Sequence, residues 1–140
     1  MTETHALAAA LVIEHQAVYG YGVAGAHLSG RGRADALAAL DAHRLRRDEL
    51  AALLIRAGGT PPVAAPAYVL PSPVHDVDGA RSLCAALEEA CAGAAWDLVA
   101  ASAVRTPARA LAVGWLAAAA TAAVAWHDPA PGPALPGQPR

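Results

Sequence analysis

The chain has 140 residues, a formal charge of −2, 56% hydrophobic and 16% charged residues, so a single domain with an ample core is expected. The small acidic excess excludes an electrostatic case for nucleic acid or for an anionic membrane surface. All ten basic residues are Arg, and Phe, Lys and Asn are absent; this is a coding bias of the kind a high-GC bacterium shows and carries no function.

The first helix is expected over residues 4–29, capped by Thr2 or Thr4 with Glu3 near its positive end. Glu14 falls in step with Leu7, Leu11, Val18 and Tyr21, which places a carboxylate on the apolar face. Such a group needs a metal, a cation or a proton as partner. Gly20, Gly22 and Gly25 each weaken the helix by roughly 1 kcal/mol relative to Ala, in exchange for close approach of a neighbour. Residues 29–32, Ser-Gly-Arg-Gly, break it.

A second helix is expected over residues 34–57, with Leu37, Leu40, Leu50 and Leu54 inward, His43 and Arg47 between them, and Gly58-Gly59 as its stop. Residues 60–77 contain five prolines and cannot be helical. Eighteen extended residues span about 55 Å, enough to climb the whole bundle and start the third helix parallel to the second. Tyr68 in this crossover is expected to lie over a bundle face.

The third helix is expected over residues 78–104, with Ala80, Cys84, Leu87, Cys91 and Leu98 inward and Glu88 beside Leu87. The fourth opens on Thr106-Pro107 and runs to residue 126, with Leu111, Trp115, Ala118, Ala119 and Ala122 inward. Its uncharged run, 110–126, is mostly Ala and reads as a buried bundle helix rather than a membrane span. Residues 128–140 read as a disordered Pro-rich tail.

Cys84 and Cys91 are seven apart on one helix, about 10 Å, beyond the roughly 7 Å that a disulfide tolerates. Free thiols and a cytoplasmic setting follow. No basic segment followed by an apolar run stands at the start, so no signal peptide is expected.

Four segments carry a resemblance. They are Glu14-His15-Gln16-Ala17-Val18-Tyr19-Gly20-Tyr21-Gly22, His43-Arg44-Leu45-Arg46-Arg47-Asp48, Ala67-Tyr68-Val69-Leu70-Pro71 and Leu87-Glu88. In this order they resemble the ferritin-like superfamily, and more narrowly the small alanine-rich actinobacterial domains of unknown function grouped as DUF4439. The resemblance implies an all-α, ferritin-like four-helix bundle: two antiparallel hairpins joined by one long crossover. It also implies a ligand set. Ferritin-like di-iron proteins draw a Glu from each of two helices and a Glu-x-x-His from each of the other two. Glu14, His43 and Glu88 match three of those six positions, and Tyr21 matches a tyrosine often found there. Leu40 stands where a Glu should precede His43, and the fourth helix offers no charged ligand.

Two readings follow. In the first, Arg47, one turn beyond His43, neutralises Glu14 or Glu88, and Glu14, Tyr21, His43, Arg47 and Glu88 form a buried polar cluster without metal. The protein is then a non-enzymatic structural or small-ligand-binding bundle. In the second, iron or another metal sits at Glu14, His43 and Glu88, in a redox or iron-binding protein of ferritin or rubrerythrin type. Ala- and Gly-rich helix faces add the expectation of a homodimer.

Overall fold

The structure, a computed structural model, describes residues 1–127; among these there are four α-helices and no strand. Helix α1 spans Glu3–Ala26, α2 Gly30–Arg56, α3 Val77–Ala101 and α4 Pro107–His127. The expected tail lies outside the described residues.

Helix ends are set by side chains that satisfy orphan backbone groups. The Thr2 hydroxyl accepts from the His5 N–H at 3.2 Å, and Asp76 accepts from Gly79 at 2.7 Å. The Thr106 hydroxyl accepts from the Arg109 N–H at 3.3 Å, so the expected cap of α4 is in place. The Arg109 guanidinium donates to the carbonyls of Val99 and Ser102 at 2.9 and 3.0 Å, closing the end of α3. Gly58, at φ +80°, ends α2: the Gly59 N–H reaches the Leu54 carbonyl and the Gly58 N–H that of Ile55. That left-handed closure strains any residue but glycine.

Three boundaries differ from expectation. α1 stops at Ala26 and α2 starts at Gly30, because Gly30 takes φ +54° and turns the chain within one residue. The break expected at 29–32 therefore shrinks to residues 27–29. α3 ends at Ala101, where Ser102 becomes extended (ψ 142°) and Arg105 turns left-handed (φ 69°) ahead of Thr106.

Two core clusters give the topology. The first joins the start of α1 (Leu7, Leu11), the end of α2 (Leu50, Leu54), the end of α3 (Leu98) and the start of α4 (Ala108, Ala112). The second joins the end of α1 (Tyr21, Ala24), the start of α2 (Ala36), the start of α3 (Ala80, Leu83, Cys84) and the end of α4 (Trp126). So α1 is antiparallel to α2 and to α3, while α2 runs parallel to α3. Residues 57–76 must climb the bundle, the one-crossover connectivity of ferritin-like folds. The crossover is held along α1: the His15 ring meets the Pro62 carbonyl at 3.2 Å, and Tyr68 stands edge-on to Tyr19 at 5.8 Å between ring centroids.

The close helix pairs are α1–α2, α1–α3 and α3–α4. α1 meets α3 at Gly20, where a Cβ would stand 2.6 Å from Leu87 Cδ1. Gly22 and Gly25 have no such role: a Cβ meets nothing within 4 Å at Gly22 and only Ala36 at 4.0 Å at Gly25.

Two faces were misassigned. On α2, Leu37 is 50% exposed and Ala36 takes its place inside. On α4, Ala118 points out and Trp126 points in. Nor is α4 a wholly buried helix. It is long and apolar enough to cross a membrane by length and composition, yet only 22% of its most apolar window is buried. Its inward stripe, Ala108, Ala112, Ala119, Ala123 and Trp126, packs against the bundle and the rest faces outward.

Candidate functional site

The two core clusters leave a polar layer between them. Glu14 sits there on α1 for the reason read from its spacing, at heptad distance from Leu7 and Tyr21 on one face. His43 comes from α2, seven residues from both Ala36 and Leu50. Glu88 comes from α3, one residue after Leu87. All three are at least 95% buried, and Tyr21 is 99% buried.

They form one continuous network. His43 Nδ1 lies 2.6 Å from Glu14 Oε2, and His43 Nε2 lies 2.9 Å from Glu88 Oε1. The Tyr21 hydroxyl donates to the same Glu88 oxygen at 2.6 Å, and its ring stacks on the imidazole at 5.2 Å. Ionised carboxylates only accept, so an imidazole facing one at each nitrogen must carry both protons. Burial opposes the charged ring, but its contacts with Cys91, Glu14 and Glu88 prevail and raise its pKa to about 11. For Tyr21, burial first and then the charge of Glu88 push the phenol well above its ordinary range, so it remains a donor.

Arg47 is not in this network. Its guanidinium donates to Asp48 at 2.9 Å on the outer side of α2, its side chain 32% exposed. Arg46 takes the inward place instead. It lines a cavity of about 10 Å³ together with Glu14, Cys91 and Trp115, and its Nη1 is buried without a hydrogen-bond partner. Arg46 is only partly buried and no ion pair joins it to either carboxylate, so His43 is the cation that both face. Arg46 was missed although it stands three residues from His43, a spacing that shares a helix side.

The donor set does not fit a di-iron centre. Both nitrogens of His43 are engaged by carboxylates, and α4 presents no carboxylate or imidazole between residues 110 and 126. Nor do Glu14, His43 and Glu88 converge on one point, because the two carboxylates meet opposite edges of the ring. The set that does converge replaces Glu88 by Cys91: donor atoms of Glu14, His43 and Cys91 lie within 4.8 Å of one another. Burial above all, with the charge of Glu14 adding, pushes the Cys91 thiol up to about 11, against the pull of His43. As a thiol it is not a strong ligand. Both cysteines are free and buried, as their spacing required.

Beyond Glu88 the network opens on a cavity of about 460 Å³ lined by α2, α3 and α4. It lies where α2 and α4 fail to pack closely. Glu88 forms part of its wall, Ala39, Ala122, Ala125 and Trp126 give it apolar sides, and Arg31, Asp35 and Arg81 stand around it. Glu88 Oε2 is buried and has no hydrogen-bond partner. No periodicity in the sequence marks this cavity, since it is a gap left by small residues.

A family model described as a domain of unknown function (DUF4439) matches residues 6–140. The chain belongs to this family. A solved structure described as a conserved hypothetical protein, rv2844, from Mycobacterium tuberculosis is similar to this DUF4439 chain. It shares 32% identity at a TM-score of 0.83, covering 89% of this chain and 94% of that one. No curated protein matches.

Proposed function

We propose that this DUF4439 protein is a non-enzymatic small-molecule-binding bundle, a ferritin-like scaffold in which a hydrogen-bonded network stands in place of a metal centre. One observation carries the reading: a buried, unpartnered carboxylate oxygen, Glu88 Oε2, in the wall of a cavity of about 460 Å³. Buried acceptors are almost always satisfied, and one left open at a pocket is where a ligand donor fits. The cavity has the volume of an ordinary small-ligand site, roughly 300–1,000 Å³. The network supports the pocket by fixing Glu88. Its Oε1 accepts from Tyr21 and His43, which leaves Oε2 as the oxygen without a donor.

A small apolar fluorescent probe tests the reading. One probe should bind per chain, and binding should vanish when Ala39→Trp and Ala122→Trp together fill the cavity. Absence of binding, or binding indifferent to the double variant, would overturn it.

A second reading rests on the convergence of Glu14, His43 and Cys91. A carboxylate, an imidazole and a thiolate suit zinc better than iron. Protein purified without chelator and carrying one metal per chain, lost in Cys91→Ala, would establish it and displace the network.

The outward face of α4 supports a partner. Val113 and Val124 are 52% and 71% exposed on a helix with no charge from residue 110 to 126. We assign this face to a second copy of the chain. Light scattering should give twice the chain mass, and Val113→Asp/Val124→Asp should halve it. A monomer before substitution refutes the assignment.

A further inference from the structure

The hydrogen-bonded network holds two carboxylates against one imidazolium, so it carries an excess negative charge. Glu14 and Glu88 both face His43, and Tyr21 enters only as a neutral donor. The excess falls at Glu88. Arg46 shares the small cavity with Glu14, and Glu88 has no part in that cavity. Glu88 lines the large one instead, 98% buried, with Oε2 unpartnered. The other charged groups around the large cavity do not serve it. Arg31 and Asp35 are exposed, opposite in sign and one helical turn apart on α2, so they offset each other. Arg81 is committed elsewhere. It donates to the Ala125 carbonyl at 3.2 Å, its guanidinium stands 5.3 Å from the Trp126 ring centroid, and it has further interactions. Ala39, Ala122, Ala125 and the Trp126 ring give the cavity its apolar walls.

Resting on the pocket reading above, we infer that the ligand is an organic cation, a primary ammonium group on a short apolar body. The ammonium donates to Glu88 Oε2, a charge-assisted hydrogen bond to an acceptor with no other donor. It also offsets the excess charge that burial makes costly. The body lies against the alanines and Trp126. A carboxylate would meet Glu88 with like charge. A neutral alcohol donates the hydrogen bond and leaves the charge unbalanced. A quaternary ammonium brings the charge and no donor.

Calorimetric titration of the full chain with hexylamine near neutral pH tests this, with methylamine, hexanol, hexanoate and hexyltrimethylammonium as comparisons. Hexylamine is protonated there, as a lysine side chain is. It should bind one to one, and each comparison compound at least about tenfold more weakly, the factor expected for a lost charge-assisted contact or a lost apolar body. Glu88→Gln keeps the shape and removes the charge. It should weaken hexylamine by about tenfold or more and leave hexanol within about threefold. Ala39→Trp with Ala122→Trp fills the cavity without touching the network and should abolish hexylamine binding, which keeps the assignment testable should Glu88→Gln not fold. Hexanol or hexanoate binding the parent chain as tightly as hexylamine would overturn the assignment. So would undiminished hexylamine binding by folded Glu88→Gln or by the filled cavity. The apolar probe separates the two levels. If it binds in the cavity and hexylamine does not displace it, the ligand class fails and the pocket stands. If the probe does not bind either, both fall.

Discussion

Replacing His43 with leucine is expected to destabilise the folded chain by about 3–5 kcal/mol, the cost of leaving buried charge uncompensated. Leucine is close to histidine in volume, so the substitution removes charge and hydrogen bonds without leaving a large void. Glu14 and Glu88 are 5% and 2% exposed, and each would lose the imidazolium that it faces at 2.6 or 2.9 Å. Against a total stability of about 5–15 kcal/mol, this removes a large share. The same argument predicts strong non-additivity. Glu14→Leu, His43→Leu, Glu88→Leu and Tyr21→Phe combined remove every charge of the hydrogen-bonded network and the orphaned hydroxyl together, and should recover most of the loss. Arg47→Ala is the matched control on α2 and should stay within about 0.5 kcal/mol, since its partner Asp48 is exposed. Urea midpoints of the four proteins decide the matter. A His43→Leu variant as stable as the parent would show that the network stores little. A fourfold variant no more stable than His43→Leu would show that the loss comes from packing instead.

How far the sequence reached depended on contrast between faces. Spacing among large apolar residues places Glu14 and Tyr21 on the inward side of α1, and the ferritin-like resemblance groups His43 and Glu88 with them. The crossover and the parallel course of α2 and α3 followed from five prolines and the reach of an extended chain, and the core clusters bear them out. The errors fall where alanine blurs the pattern. On α2, counting Leu37 rather than Ala36 as inward turned the assumed face by one residue, about 100°. That rotation put Arg47 inside and hid Arg46. On α4 the inward residues are alanines among alanines, so spacing does not tell Ala118 from Ala119, and Trp126 reads only as the helix end. The cavity was beyond reach for a different reason: it arises where α2 and α4 do not meet, and a gap between distant segments leaves no periodicity. Charge placement was more informative than hydrophobicity throughout, because a buried carboxylate must have a partner and alanine need not.

Stability should fall as pH rises from 6.5, well before any thiol or phenol of an unfolded chain ionises. In the folded protein His43 keeps its proton to about pH 11, whereas in the unfolded chain the ring releases it near 6.5. Folding therefore binds a proton. Its contribution is complete below pH 6.5, declines by up to about 1.4 kcal/mol per pH unit above that, and is gone beyond pH 11. Between pH 6.5 and 8.5 the loss amounts to about 2 kcal/mol. Burial also keeps Cys91 and Cys84 protonated to about 11 and about 12, from a starting value of 9.0, so they add a loss of the same sign only above pH 9. Tyr21 joins above pH 10, its ordinary value. The interval from 6.5 to 8.5 thus isolates His43. Urea midpoints across it should drop in the parent chain, while His43→Gln starts lower and stays flat. A flat parent profile would mean that the ring is neutral between its two carboxylates and that one of them carries the proton instead. That outcome would also undercut the pocket reading if the proton sat on Glu88, because Oε2 would then no longer be an open anionic acceptor in the cavity wall.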